Sequence, residues 1–251
     1  MLFREDAGGT TAISQPMHAW ISGQLMRALH GEHGEALYLA AEQHDIAWLD
    51  WEAEPTFDAV AGRPHLFRDI GALLHAPMWR RGVELALAAW GPHLALLVSR
   101  HGGVIYRRFT TRHRGDPRDA EAAAAYLVAQ APREARWAET LKLSPADLDY
   151  QSGLIAFVDN LSLALCGELK TPLELPLPVF GSAERRIAVT AKPDAPDEFT
   201  LSPWPFARER VAIEGEGRRL PAAGRFADEA AFRAWGETAP RTIFSARLSA
   251  P

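Results

Sequence analysis

The sequence has a single cysteine, Cys166, among 251 residues. Neither an intramolecular disulfide nor a multi-cysteine zinc module is available to it. It also lacks a cationic surplus: 27 Lys and Arg stand against 32 Asp and Glu, a formal net charge of −5. A general nucleic-acid binder needs excess Lys and Arg to displace phosphate counterions, so that class is excluded. No uninterrupted apolar run approaches the roughly 18 residues expected of a membrane span. The most apolar segments, 93–98 and 153–166, are short or are broken by Asp159 and Asn160. The opening Met1-Leu2-Phe3-Arg4-Glu5-Asp6 turns acidic before any hydrophobic stretch, unlike a signal peptide. A cytoplasmic protein without a membrane partner is expected. No internal repeat is visible.

What is present is ample core material: 47% hydrophobic and 24% charged residues. Two short extended pieces flank a Gly8-Gly9 turn. Helical spacing then begins at Ser14-Gln15-Pro16, with Ser14 as cap and Pro16 in the first turn. It resumes over about 34–49, 67–74, 77–90, 93–101, 116–142 and 144–167, with Gly102-Gly103 expected to end the fifth helix. After residue 170 the composition shifts to Pro172, Pro176 and Pro178 and then to short strand-like runs with one helix near 227–236. The expectation is a mainly α protein: a helical region over 1–170 with short N-terminal strands, and a small β-rich part over 171–251. The Pro203-Trp204-Pro205-Phe206 segment is expected to pack the second part on the first.

Several ionisable residues fall on apolar faces. Leu37, Ala40, Ala41, His44 and Trp48 share helical spacing, which turns His44 of the His44-Asp45 pair inward. His18 shares a face with Ile21, Leu25 and Leu29. Asp159 follows Ile155 by one turn inside an otherwise apolar helix. Buried charges of this kind demand a cation or a donor network. His101 ends an apolar helix beside Gly102-Gly103, which permit close approach. His75 is a further candidate, although Pro77 just after it can turn its side chain outward. Gln15, one turn before His18, can orient that helix or a water.

The order His, then His-Asp, then Asp, each on its own helix, resembles the HD superfamily of metal-dependent enzymes. That resemblance implies an HD-type helical bundle and a metal site of His18, His44, Asp45 and Asp159, with His75 and His101 as further ligands. Two intermediate histidines are similar to the binuclear branch of phosphodiesterases and mixed-valent diiron oxygenases, in which Asp45 would bridge two ions. The segments around Gln15–Ala19, His44–Trp48, Leu97–His101 and Asp159–Leu163 are similar to one bacterial family of unknown function, along nearly the whole chain. The GYP signature of the cyclic-dinucleotide branch is absent.

Imidazoles and carboxylates without thiolates suit one or two ions of iron, manganese or zinc. The reaction expected by resemblance is hydrolysis of a phosphoester or phosphodiester, with Asp45, His101 and Gln15 as catalytic residues and a small phosphorylated molecule or nucleotide as ligand. A diiron oxygenase and a noncatalytic metal-binding sensor or scaffold remain as alternatives. The basic cluster Arg107, Arg108, Arg112, His113 and Arg114 can hold a phosphate, but its acidic neighbours favour a solvated surface.

Overall fold

The computed structural model describes residues 1–6, 8–109 and 116–251. Alternation in the first thirteen residues buries Leu2, Arg4, Thr11 and Ile13, and the chain forms a hairpin of β1 (Leu2–Asp6) and β2 (Gly9–Ile13). Helix α1 (Gln15–Ala28) follows, its Ser14 cap accepting a hydrogen bond from the Met17 N–H. Next come α2 (Glu35–Gln43), a 3-10 turn over Ile46–Trp48, the short α3 (Leu49–Ala53) and a small hairpin of β3 (Phe57–Asp58) and β4 (Arg63–Pro64). Four long helices then build the body: α4 (Ala72–Trp90), α5 (Pro92–Phe109), α6 (Pro117–Leu141) and α7 (Pro145–Leu165). The chain ends in β5 (Leu173–Leu177), β6 (Arg185–Lys192), β7 (Ala195–Ser202), β8 (Arg210–Arg219), α8 (Glu229–Thr238) and β9 (Arg241–Ser249).

The expectation of a mainly α, HD-type bundle with a small β-rich C-terminal part is corrected here. The chain is about 52% helical, and beside its helices stands a seven-stranded curled mixed sheet, a half-barrel. Its strand order is β1-β2-β8-β9-β7-β6-β5. Neighbours are antiparallel except β7 and β9, which run parallel. Two of the strands come from the start of the chain: Thr11 and Ala12 pair with Arg219 and Arg218. The pairing spans some two hundred residues, and no local pattern announces it.

This sheet is what holds α1 in place. Gln24 clamps the backbone of Glu214, donating to its carbonyl at 2.8 Å and accepting from its N–H at 3.1 Å. On its other sides α1 packs against α2 and α7. The aromatic segment locks the end of α1: Phe206 is buried, His30 N–H donates to Pro205 at 3.1 Å, and Ala207 N–H donates to Ala28 at 2.9 Å. Arg4 ties β1 to the far end of α7, with its buried guanidinium bonded to the Leu165 carbonyl and Asp197. One contiguous apolar cluster runs from Leu2 to Leu248.

Gly102-Gly103 do not end α5, which continues to Phe109. Gly102 serves packing: a Cβ there would lie 2.3 Å from Trp79 Nε1, so the missing side chain is what admits the indole. Gly82 on α4 plays the same part against the 3-10 turn, where a Cβ would lie 2.8 Å from the Ala47 Cα. No described helix is long and apolar enough to cross a membrane.

Candidate metal centre

Four chain segments meet at one buried point. α1 brings His18, the junction after α2 brings His44 and Asp45, α5 brings His101 and α7 brings Asp159. The His18 Nε2 lies 3.3 Å from Asp45 Oδ2 and 3.2 Å from Asp159 Oδ1. The His44 Nε2 lies 3.5 Å from Asp159 Oδ1, 3.8 Å from Asp45 Oδ2 and 3.2 Å from His18 Nε2. His101 Nε2 stands 4.0 Å from Asp159 Oδ2, and its ring centroid is 4.7 Å from that of His44. Among the described residues, two groups have ligand atoms close enough to hold a metal: His18, His44 and Asp159, and His44, Asp45 and His101.

His44 and Asp45 were expected inside a continuous helix. Instead α2 stops at Gln43, and Asp45 sits at φ −101°, ψ 20° before the 3-10 turn. Successive residues on a regular helix point about 100° apart, and the non-helical backbone at Asp45 releases its side chain from that spacing. The break brings the second side chain back to the first.

The outer nitrogens of the imidazoles are held as a metal site requires. His44 Nδ1 lies 2.8 Å from the Ala41 carbonyl. A carbonyl only accepts, so Nδ1 carries the hydrogen and neutral His44 presents a lone pair at Nε2. His18 Nδ1 meets Ser162 Oγ. Ser162 donates its own hydrogen to the Asp159 carbonyl at 2.8 Å and accepts one from Ser22 at 2.9 Å. The hydroxyl therefore receives the His18 Nδ1–H. Neither serine was singled out from the sequence, although Ser22 follows His18 by four residues and Ser162 follows Asp159 by three, the spacings that share a helix face.

Two inward carboxylates with little exposure need positive charge. Burial opposes a charge on His18, but hydrogen bonds and attraction from Asp159 and Asp45 outweigh it and lift the group to about 9. His44 is raised likewise, the charges of Asp45 and Asp159 overcoming burial. Burial pushes both carboxyls up, yet the facing imidazoles hold Asp45 below and Asp159 well below the usual range. Without a metal, the protonated His18 imidazole stands in for the cation. His101 lacks such close partners, and burial depresses it to about 4. Asp159 is the member nearest solvent, with its side chain 16% exposed.

His75 does not turn outward. Pro77 sits early in α4 and is absorbed at the loss of one backbone bond, and His75 lies inside that helix, 4% exposed. Its atoms belong to neither convergent group. Gln15 is buried, but its side-chain oxygen has no hydrogen-bond partner, and its backbone N–H donates to Glu52 at 2.9 Å. Of the basic cluster, Arg112, His113 and Arg114 lie outside the described residues. Two surface clefts, one around Tyr150 and Phe180 and one around His30 and His33, are lined by none of the cluster residues.

No curated protein and no solved structure matches the chain. The profile of one family, described as Protein of unknown function (DUF3891), matches residues 1–222, and the chain belongs to that family.

Proposed function

We propose that this protein is an HD-type hydrolase of a small phosphoester or phosphodiester, working with one divalent ion held by His18, His44, Asp45 and Asp159, with His101 as an added ligand. The observation that carries the reading is the convergence of five buried or nearly buried donor side chains from four separate segments. Their outer hydrogen bonds already aim the His18 and His44 Nε2 atoms at the common point. Imidazole and carboxylate donors match iron, manganese or zinc.

A neutral imidazole has one lone pair to give, and His44 is common to both convergent groups. The groups thus describe overlapping positions of one ion, which favours hydrolysis over oxygen chemistry at a pair of irons. A divalent ion held there would supply the Lewis acidity that lowers the pKa of a water toward neutrality and polarises a phosphoryl group. The chain's own residues do the rest. Asp45 and Asp159 balance charge, Ser22 and Ser162 hold the His18 ring, and His101 remains neutral at working pH. Substrate would reach the centre past Asp159, whose side chain is 16% exposed.

Elemental analysis of the purified full chain tests this directly. The expected result is one iron, manganese or zinc per chain, lost in His44→Ala and in Asp159→Asn. Turnover of p-nitrophenyl phosphate or its diester should vanish on chelation and return with the ion. Full metal content in both variants, or no turnover of any phosphoester by the loaded protein, refutes the proposal. Two ions per chain would restore the binuclear reading in its place.

A further inference from the structure

His75 lies beside the centre but outside both convergent groups. Its Nδ1 lies 2.9 Å from Tyr106 Oη. Its Nε2 is buried without a hydrogen bond, and the rings of Trp48 and Trp79 each stand 4.8 Å from its own. Trp79 also stands 5.8 Å from the ring of His101, which places His75 one ring away from the metal cluster.

The hydrogen between Tyr106 and His75 can lie on either atom, and the two arrangements differ in what they leave unpaired. If the imidazole donates, both the phenol hydrogen and the Nε2 lone pair are stranded in an apolar wall. If the phenol donates, only one group is left over, an Nε2–H. Tyr106 Oη has no other hydrogen bond among the described residues, and burial keeps the phenol protonated. Stranded buried polar groups are disfavoured, so the second arrangement holds. A nitrogen that carries hydrogen cannot ligate a cation. It needs an acceptor, and the described residues supply none.

We infer that His75 is not a metal ligand but a substrate-binding residue, its Nε2–H donating to a phosphoryl oxygen at the metal centre, with Tyr106 as the positioning residue that fixes this tautomer. The inference rests on the phosphoester reading above for its ligand, but not for its tautomer.

The test uses the full chain loaded with zinc, its histidine rings labelled with nitrogen-15, and inorganic phosphate as probe. Long-range proton–nitrogen correlation spectra should show His75 as the Nε2–H tautomer and move its signal saturably with phosphate. His75→Ala should weaken phosphate binding by about 10-fold or more, the loss expected for a hydrogen bond to a charged acceptor, with metal per chain unchanged. His75→Gln, which keeps an N–H near the same place, should recover most of that loss and guards against misfolding of the alanine variant. Tyr106→Phe should give mixed tautomers and an intermediate affinity. A loss of metal in His75→Ala, a bare Nε2, or a phosphate response that ignores His75 overturns the inference. Failure of the wild type to take up metal would instead defeat the metal-centre reading, and the tautomer measured in that metal-free protein would still decide the role of Tyr106.

Discussion

The metal-free protein should be most stable near pH 6.5 and lose stability on both sides, for reasons that can be worked from four imidazoles. His18 is lifted from 6.5 to about 9 in the folded chain because Asp159 and Asp45 overcome the effect of burial. Above 6.5 the unfolded chain releases a proton that the folded chain keeps. The stabilisation is therefore complete below 6.5 and disappears as pH rises to about 9. At 1.36 kcal/mol per pKa unit this amounts to about 3 kcal/mol, with His44 adding in the same direction. His75 and His101 act on the acid side. Burial depresses both to about 4, so below 6.5 the unfolded chain takes up protons that the folded chain refuses. Each then removes up to about 3 kcal/mol as pH falls toward its folded value. Urea unfolding of chelator-treated protein across this range reads both flanks as shifts in midpoint at constant slope. The range closes near 9, where the Cys166 thiol, pushed up to about 12 when folded, begins to ionise in the unfolded chain. His18→Gln should flatten the alkaline flank, and added zinc should do the same by replacing the proton. A stability that holds level or rises between 6.5 and 9 would refute the reasoning, as would an alkaline loss that His18→Gln leaves undiminished.

Three further substitutions probe how the centre is supported. Ser162→Ala strands the His18 Nδ1–H and should weaken metal binding by about 10- to 100-fold in a chelator competition; unchanged affinity would show that the serine does not orient the ring. Gly102→Ala forces a methyl against an indole that is itself tied to the Val98 carbonyl at 3.0 Å. It should cost about 1–3 kcal/mol in thermal unfolding, and an unaltered midpoint would count against the close packing of α4 on α5. Phe206→Ala empties a buried site at the end of α1 and should cost about 3–5 kcal/mol; a loss below 1 kcal/mol, small for a buried residue, would mean that the aromatic segment does not anchor that helix.

Much of the centre is legible in the sequence. Side chains every three or four residues along α1 and α7 mark one apolar face, and His18 and Asp159 interrupt it, so their inward direction follows from helix geometry alone. His44 is found the same way. The Ser14 cap and the proline-rich turn toward strands are equally local. The sheet is different. Its N-terminal hairpin is only five residues a side, too short to fix a partner, and its place beside β8 depends on a contact between residues 11 and 219. The end of α2 at Gln43 was not announced by the sequence either, and the turn after it packs closely on Gly82 through Ala47. The sequence alone thus determined that His18, His44 and Asp159 face inward, because helical periodicity is a property of neighbours. Only the tertiary structure decided what each does there. Whether a buried imidazole offers a lone pair or a hydrogen depends on the atom opposite its other nitrogen. For His44 that atom is a carbonyl one turn away, for His18 a hydroxyl 144 residues distant, and for His75 a phenol on the next helix.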